Sequence, residues 1–207
     1  MKKRPIIWIF STLIFTLGLT SCSTTFSGIY GIKKIKPLDE KAIIRNSNKF
    51  NIPASDNYEL GTSYFSFLIS FDTTLYKEQQ KNHYQPLQAL YYGKTGQLES
   101  FQINCYAGGF PNLNWGRNEI LTTFPPLEQA PLDSMLSLDS QIKYLKPLSQ
   151  TNKFSSDNYD YVVIVYWNRF MGRQSKRLIR FVQDNSKLAG DKKVKIIYVN
   201  NDNIYLK

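Results

Sequence analysis

The feature that most constrains this chain is a pair of β-branched runs set on either side of an amphipathic segment. Tyr159-Asp160-Tyr161-Val162-Val163-Ile164-Val165-Tyr166-Trp167 is almost continuously apolar, the pattern of a central strand covered on both faces. Gly172 follows, and then a segment from Arg173 to about Lys187 places Leu178, Ile179, Phe181 and Val182 on one helical face and Arg173, Lys176, Arg177 and Arg180 on the other. Val194-Lys195-Ile196-Ile197-Tyr198-Val199 supplies a second strand. A strand, helix, strand unit of this kind predicts parallel strands joined right-handedly. The expected class is therefore α/β, with α+β as the alternative.

The remaining periodicities add to that layer. Leu87 to Tyr92 and Leu98 to Ile103 alternate with period two around Gly93-Lys94-Thr95-Gly96, which predicts a hairpin. Pro37-Leu38-Asp39-Glu40 reads as the start of a helix that ends at Asn51-Ile52-Pro53. Tyr58 to Gly61 reads as loop. Tyr64, Phe67, Leu68, Phe71 and Leu75 fall at helical spacing, so a second helix is expected over Thr62 to about Tyr76, followed by a polar segment Lys77 to Gln85. A further helix is expected from Leu132 to Leu145. Gly108-Gly109-Phe110-Pro111-Asn112 should break the sheet, and Trp115 and Phe124-Pro125-Pro126 should lie in a long connection draped over the core. Fourteen Tyr and thirteen Phe suit such a core.

At the amino end, Lys2, Lys3 and Arg4 precede an apolar run from Ile6 to Leu19. As a helix that run would reach roughly 21 Å, short of a hydrocarbon core of about 30 Å, so it reads as a secretion signal and not as a permanent span. Its ending, Leu19-Thr20-Ser21-Cys22, resembles the lipobox of bacterial lipoproteins. The resemblance implies cleavage before Cys22, fatty acylation of its sulfur, and a mature chain beginning there. Two or three acyl chains would anchor it stably. The expected organisation is a signal peptide over 1–21, a lipid anchor and Ser/Thr-rich tether over 22–36, and one globular domain over 37–207. The expected location is the cell envelope, on the periplasmic side of the outer membrane, because Ser23-Thr24-Thr25 carries no acid. The bilayer is the expected partner. The formal net charge is +10, of which Lys2, Lys3 and Arg4 supply three, leaving +7 on the mature chain. Such a domain is drawn toward anionic head groups, and Lys33, Lys34 and Lys36 sit beside the anchor. Export makes nucleic acid a poor partner.

A second resemblance rests on Val163 to Ser175. It is similar to the strand and active-site turn of thioredoxin-like redoxins, and the hairpin Leu87 to Ile103 resembles one found in their extracytoplasmic members. On that alignment Tyr166 and Trp167 match the aromatic pair and Phe170 the Trp before the first cysteine; Met171 and Gln174 take the two cysteine positions, and Gly172 is kept. A thioether and an amide cannot attack a disulfide, so the redox centre of the family would be missing. Cys105, in Ile103-Asn104-Cys105-Tyr106, is then the one thiol outside the lipobox. It reads as a small buried strand residue; the alternative is a reactive thiol in a divergent oxidoreductase.

Arg169, Arg173, Lys176 and Arg177 crowd the start of the helix after Gly172, where backbone N–H groups and cations could hold an anion; the competing reading is a solvated basic face. His83 is the single histidine and falls in a polar stretch. No spacing fits zinc, Gly108-Gly109 is a turn and not a phosphate loop, and Asn200 to Asn203 lacks the spacing of a calcium loop, so no metal or cofactor is expected. The functional expectation is a membrane-anchored envelope lipoprotein with a non-catalytic binding or structural domain.

Overall fold

The computed structural model describes residues 31–105, 115, 122–149 and 154–206. The expected leader, the expected acylation position Cys22 and the expected Gly108–Asn112 break lie outside them.

In chain order the described elements are helix α1 (Glu40–Lys49), strand β1 (Asn57–Leu60), helices α2 (Tyr64–Ile69) and α3 (Thr73–His83), strands β2 (Gln88–Gly93) and β3 (Leu98–Ile103), helix α4 (Leu138–Ile142), strands β4 (Leu145–Pro147) and β5 (Tyr161–Trp167), helix α5 (Gly172–Ser186) and strand β6 (Val194–Asn200). The six strands form one mixed sheet in the order β3-β2-β5-β6-β1-β4. β5 and β6 run parallel from Tyr161↔Val194 to Trp167↔Asn200, as the two β-branched runs require. β2 pairs antiparallel with both β5 and β3, so the expected hairpin extends the parallel unit on one side.

Alternation along the strands gives the sheet two apolar faces. Leu90, Tyr92, Val162, Ile164, Tyr166, Ile197 and Val199 face Tyr64 and Leu68 of α2 and Leu138 of α4. Ala89, Tyr91, Val163, Val165, Trp167 and Tyr198 face Ile43 of α1 and Leu178, Ile179 and Val182 of α5. Trp115 is buried against this second face and Phe124 packs at its margin, so the described parts of the long connection lie on the core. On α5 the polar side divides as the period predicts: Arg173, Arg177 and Arg180 are exposed and Lys176 half-buried.

Four local expectations are corrected. Tyr58 to Gly61 is not loop: β1 pairs parallel with β6 and antiparallel with β4. A strand of four residues shows too little alternation to be seen, and its partners lie far along the chain.

The single helix over Thr62–Tyr76 is two. The first ends at Ile69 with Ser70 as its C-cap, Asp72 caps the second by accepting from Thr74 N at 2.8 Å, and α3 continues through the segment expected to be merely polar. Gln80 is buried because its amide donates to the carbonyls of Leu68 (3.0 Å) and Phe71 (2.9 Å), satisfying acceptors that the end of α2 leaves open.

The helix over Leu132–Leu145 shrinks to α4. Asp133 turns its carboxylate onto Met135 N (3.0 Å), a local bond that competes with helix, while Leu145 to Pro147 is recruited into the sheet edge as β4.

Cys105 lies two residues past the end of β3 and is half-buried, not a buried strand residue.

Candidate functional site

β5 and β6 end side by side, and the turns that leave them are held by a buried polar hub. Asn168 Oδ1 accepts from Met171 N at 2.8 Å and so fixes the turn that leads into α5, whose N-cap residue Met171 makes no side-chain cap bond. Asn168 Nδ2 and Asn201 Nδ2 both donate to the Pro86 carbonyl at 3.0 Å, and Ser175 Oγ donates to the Asn168 carbonyl at 2.8 Å. Asn200, Asn201 and Asp202, at the end of the second β-branched run, are buried, because they satisfy backbone groups that no strand or helix reaches.

Asp202 carries this hub outward. Its Oδ1 accepts from Arg169 N (2.9 Å) and its Oδ2 from Arg169 Nε (2.6 Å) and Asn200 Nδ2 (3.2 Å). The far end of the Arg169 guanidinium, Nη2, donates to the carbonyl of Pro37 at 2.9 Å, and Lys33 N donates to the Phe170 carbonyl at 2.7 Å. The segment leading into α1 is thus stapled across the turn after β5.

The staple encloses a cleft of about 240 Å³ lined by Lys33, Lys34, Lys36, Arg45 and Arg169, the carboxylates of Asp39 and Asp202, and Phe170. Phe170 is set by an edge contact with Tyr205, centroids 5.4 Å apart. Both carboxylates are already engaged, Asp39 as the cap of α1 through Ala42 N (3.0 Å) and Asp202 with Arg169. Among the described residues Lys33, Lys34, Lys36 and Arg45 have no acidic partner. Cations gathered in a concave surface without compensation raise the local positive potential and concentrate anions.

Of the four cations expected around the helix start, Arg169 alone lines this cleft. Arg173 lies against Gly31, where an added Cβ would stand 3.4 Å from the arginine side chain. Lys176 and Arg177 point along the outer side of α5 and do not line the cleft. Arg45 escaped the sequence reading because nothing in the pattern of α1 links it to residues 169–202. Lys33, Lys34 and Lys36 were visible as a basic run, with no sign of what they would face.

The other candidates sit elsewhere. Met171 and Gln174, the positions aligned with redoxin cysteines, are buried. Asn104, the neighbour of Cys105, bonds Leu87 through its main chain and side chain at 3.1 Å, so the thiol stands at the Pro86 end of the hairpin. His83 is not in a polar stretch but closes α3 in the core. Its Nε2 lies 3.2 and 3.1 Å from the two carboxylate oxygens of Asp133, and its ring stacks on Phe101 at 4.8 Å. That pairing accounts for its burial without a catalytic role. Among the described residues no three His, Cys, Asp or Glu side chains converge as a metal site, and no helix is long and apolar enough to cross a membrane.

No family model matches the chain, and no curated protein or solved structure is significantly similar to it.

Proposed function

We propose that this chain is a lipid-anchored envelope lipoprotein whose domain binds an anionic group in the cleft and carries out no chemistry there. The observation that carries the binding role is the set of four cations, Lys33, Lys34, Lys36 and Arg45, which have no acidic partner among the described residues and stand beside the Arg169–Asp202 pair. The anchor is supported by Leu19-Thr20-Ser21-Cys22 at the end of the leader, with acylated Cys22 tying the domain to the periplasmic side of the outer membrane.

Two measurements test the reading. Intact mass of the membrane-extracted protein should show a mature chain starting at acylated Cys22, and Cys22→Ser should lose label from a fed fatty acid. Titration of the full chain with inorganic pyrophosphate should show binding that weakens roughly tenfold when Lys33→Glu and Arg45→Glu are combined, each reversal turning attraction into repulsion within the cleft. Unchanged binding in that variant removes the cleft from the account.

A second reading, an oxidoreductase using one thiol, is favoured by the partial exposure of Cys105. Turnover of peroxide or a dithiol that vanishes in Cys105→Ser would select it over the binder.

A further inference from the structure

Four apolar side chains that adjoin cleft-lining residues in the chain face water. Ile32, Ile35, Leu38 and Ile44 are between 38 and 47 % exposed. The first three recur at three-residue spacing in the segment that Lys33 N and the Arg169 guanidinium pin to the body of the domain, so their backbone is held and does not trail. Ile44 belongs to α1, where Lys41, Arg45 and Lys49 follow one another at four-residue spacing and therefore share one side of the helix. Lys41, Ile44, Arg45, Asn48 and Lys49 line a second hollow on that side.

We infer that this face, apolar side chains interleaved with cations that have no acidic partner among the described residues, lies on the surface of an anionic lipid bilayer. The inference rests on the anchored reading above. Charge complementarity favours lipid as the occupant: lysine and arginine heads meet phosphate while isoleucine and leucine enter the boundary between head groups and acyl chains, the division of labour of interfacial segments. Chain length agrees. Eight residues separate Cys22 from Gly31, and even fully extended the nine Cα–Cα steps reach only about 30 Å, so an acylated Cys22 holds the start of this segment within that distance of the membrane. A lipid tail supplemented by a basic, partly apolar patch gives the two signals that stable anchoring requires. The cleft opens toward the head groups, and their phosphates are the anions nearest to it.

The test uses the full acylated chain in phosphatidylcholine vesicles made with and without phosphatidylglycerol, with bromine on the acyl chains as a quencher. Leu38→Trp reports on the proposed face. Leu188→Trp, an exposed position beyond the far end of α5, is the control; the 15-residue helix spans about 22 Å between it and the turn at Arg169 to which Pro37 is bonded. Tryptophan at 38 should be quenched roughly twofold more than tryptophan at 188, only when phosphatidylglycerol is present, and Lys33→Glu with Lys36→Glu should abolish the difference. Equal quenching at the two positions, or quenching at 38 that ignores phosphatidylglycerol, overturns the inference. Pyrophosphate titration of the same Leu38→Trp sample separates the two readings. If the cleft still binds and the quenching is absent, only the bilayer face has failed.

Discussion

Arg169 Nε and Asp202 Oδ2 lie 2.6 Å apart and join the turn after β5 to the turn after β6. Their side chains are 14 % and 3 % exposed, so the pair is largely removed from water, and what holds it is the further bonding at each end. Asp202 also takes Arg169 N and Asn200 Nδ2, while Arg169 also grips the Pro37 carbonyl. The ion pair thus connects the end of the parallel sheet to the segment that forms one wall of the cleft.

Removing the carboxylate leaves a mostly buried guanidinium without its partner. Asp202→Ala should cost about 3 kcal/mol of stability, at the lower end of what breaking a buried pair costs, because Arg169 keeps some access to solvent. Asp202→Asn keeps one oxygen to accept from Arg169 N, losing the acceptor for Nε, and should cost roughly half as much. Urea midpoints at fixed pH measure both. A loss below about 1 kcal/mol for Asp202→Ala would show the pair to behave like a surface ion pair.

A different part of the core governs behaviour in alkali. Tyr64, Tyr92 and Tyr166 are buried together between the sheet and α2; Tyr166 Oη donates to Gln141 Oε1, and Tyr92 Oη donates to the Leu136 carbonyl at 3.3 Å. Burial is the main reason that all three phenols are pushed above their ordinary value of 10.0, and for Tyr92 and Tyr166 a neighbouring tyrosine adds to the rise. The folded state therefore holds these protons after the unfolded chain has released them. Their contribution to stability is complete below about pH 10 and declines above it, by about 1.4 kcal/mol per pH unit for each tyrosine. Ultraviolet titration should show the buried phenols ionising in one step that coincides with loss of the circular-dichroism signal. Smooth ionisation of all fourteen tyrosines while that signal persists would contradict it.

How much of this could be read from the chain follows from where each signal resides. β5, α5 and β6 announce themselves because each carries enough residues to establish a period, and the β2–β3 hairpin because Gly93 and Gly96 mark its turn. β1 and β4 were invisible: Asn-Tyr-Glu-Leu and Leu-Lys-Pro become strands only through pairing with distant segments. Polarity misled at His83, which pairs with Asp133 in the core, and nothing in the polar run Asn200 to Asp202 signals that it satisfies buried backbone groups. The cleft draws Lys33, Arg45 and Arg169 from three separate stretches, so its basic character could be sensed in part and its composition could not.

The start of α5 separates a cation that binds from one that merely sits there. The helix has no acidic residue in its first turn, and its second residue, Arg173, is an exposed cation facing the positive end of the helix dipole. Arg173→Glu replaces repulsion by attraction and should stabilise the domain by about 0.3 to 1 kcal/mol, a rise in thermal midpoint of roughly 1–3 °C for a domain of this size. Arg173 does not line the cleft, so pyrophosphate binding should change by no more than about twofold through the weak, screened interaction that remains. Arg45→Glu is the converse: on the exposed side of α1 it should hardly move the midpoint, yet binding should fall by roughly fivefold or more, because the reversed charge stands inside the cleft. If Arg173→Glu were the variant to lose the anion, the site would belong to the exposed start of α5, as the cation-rich sequence there suggested, and not to the wall built from Lys33 to Lys36.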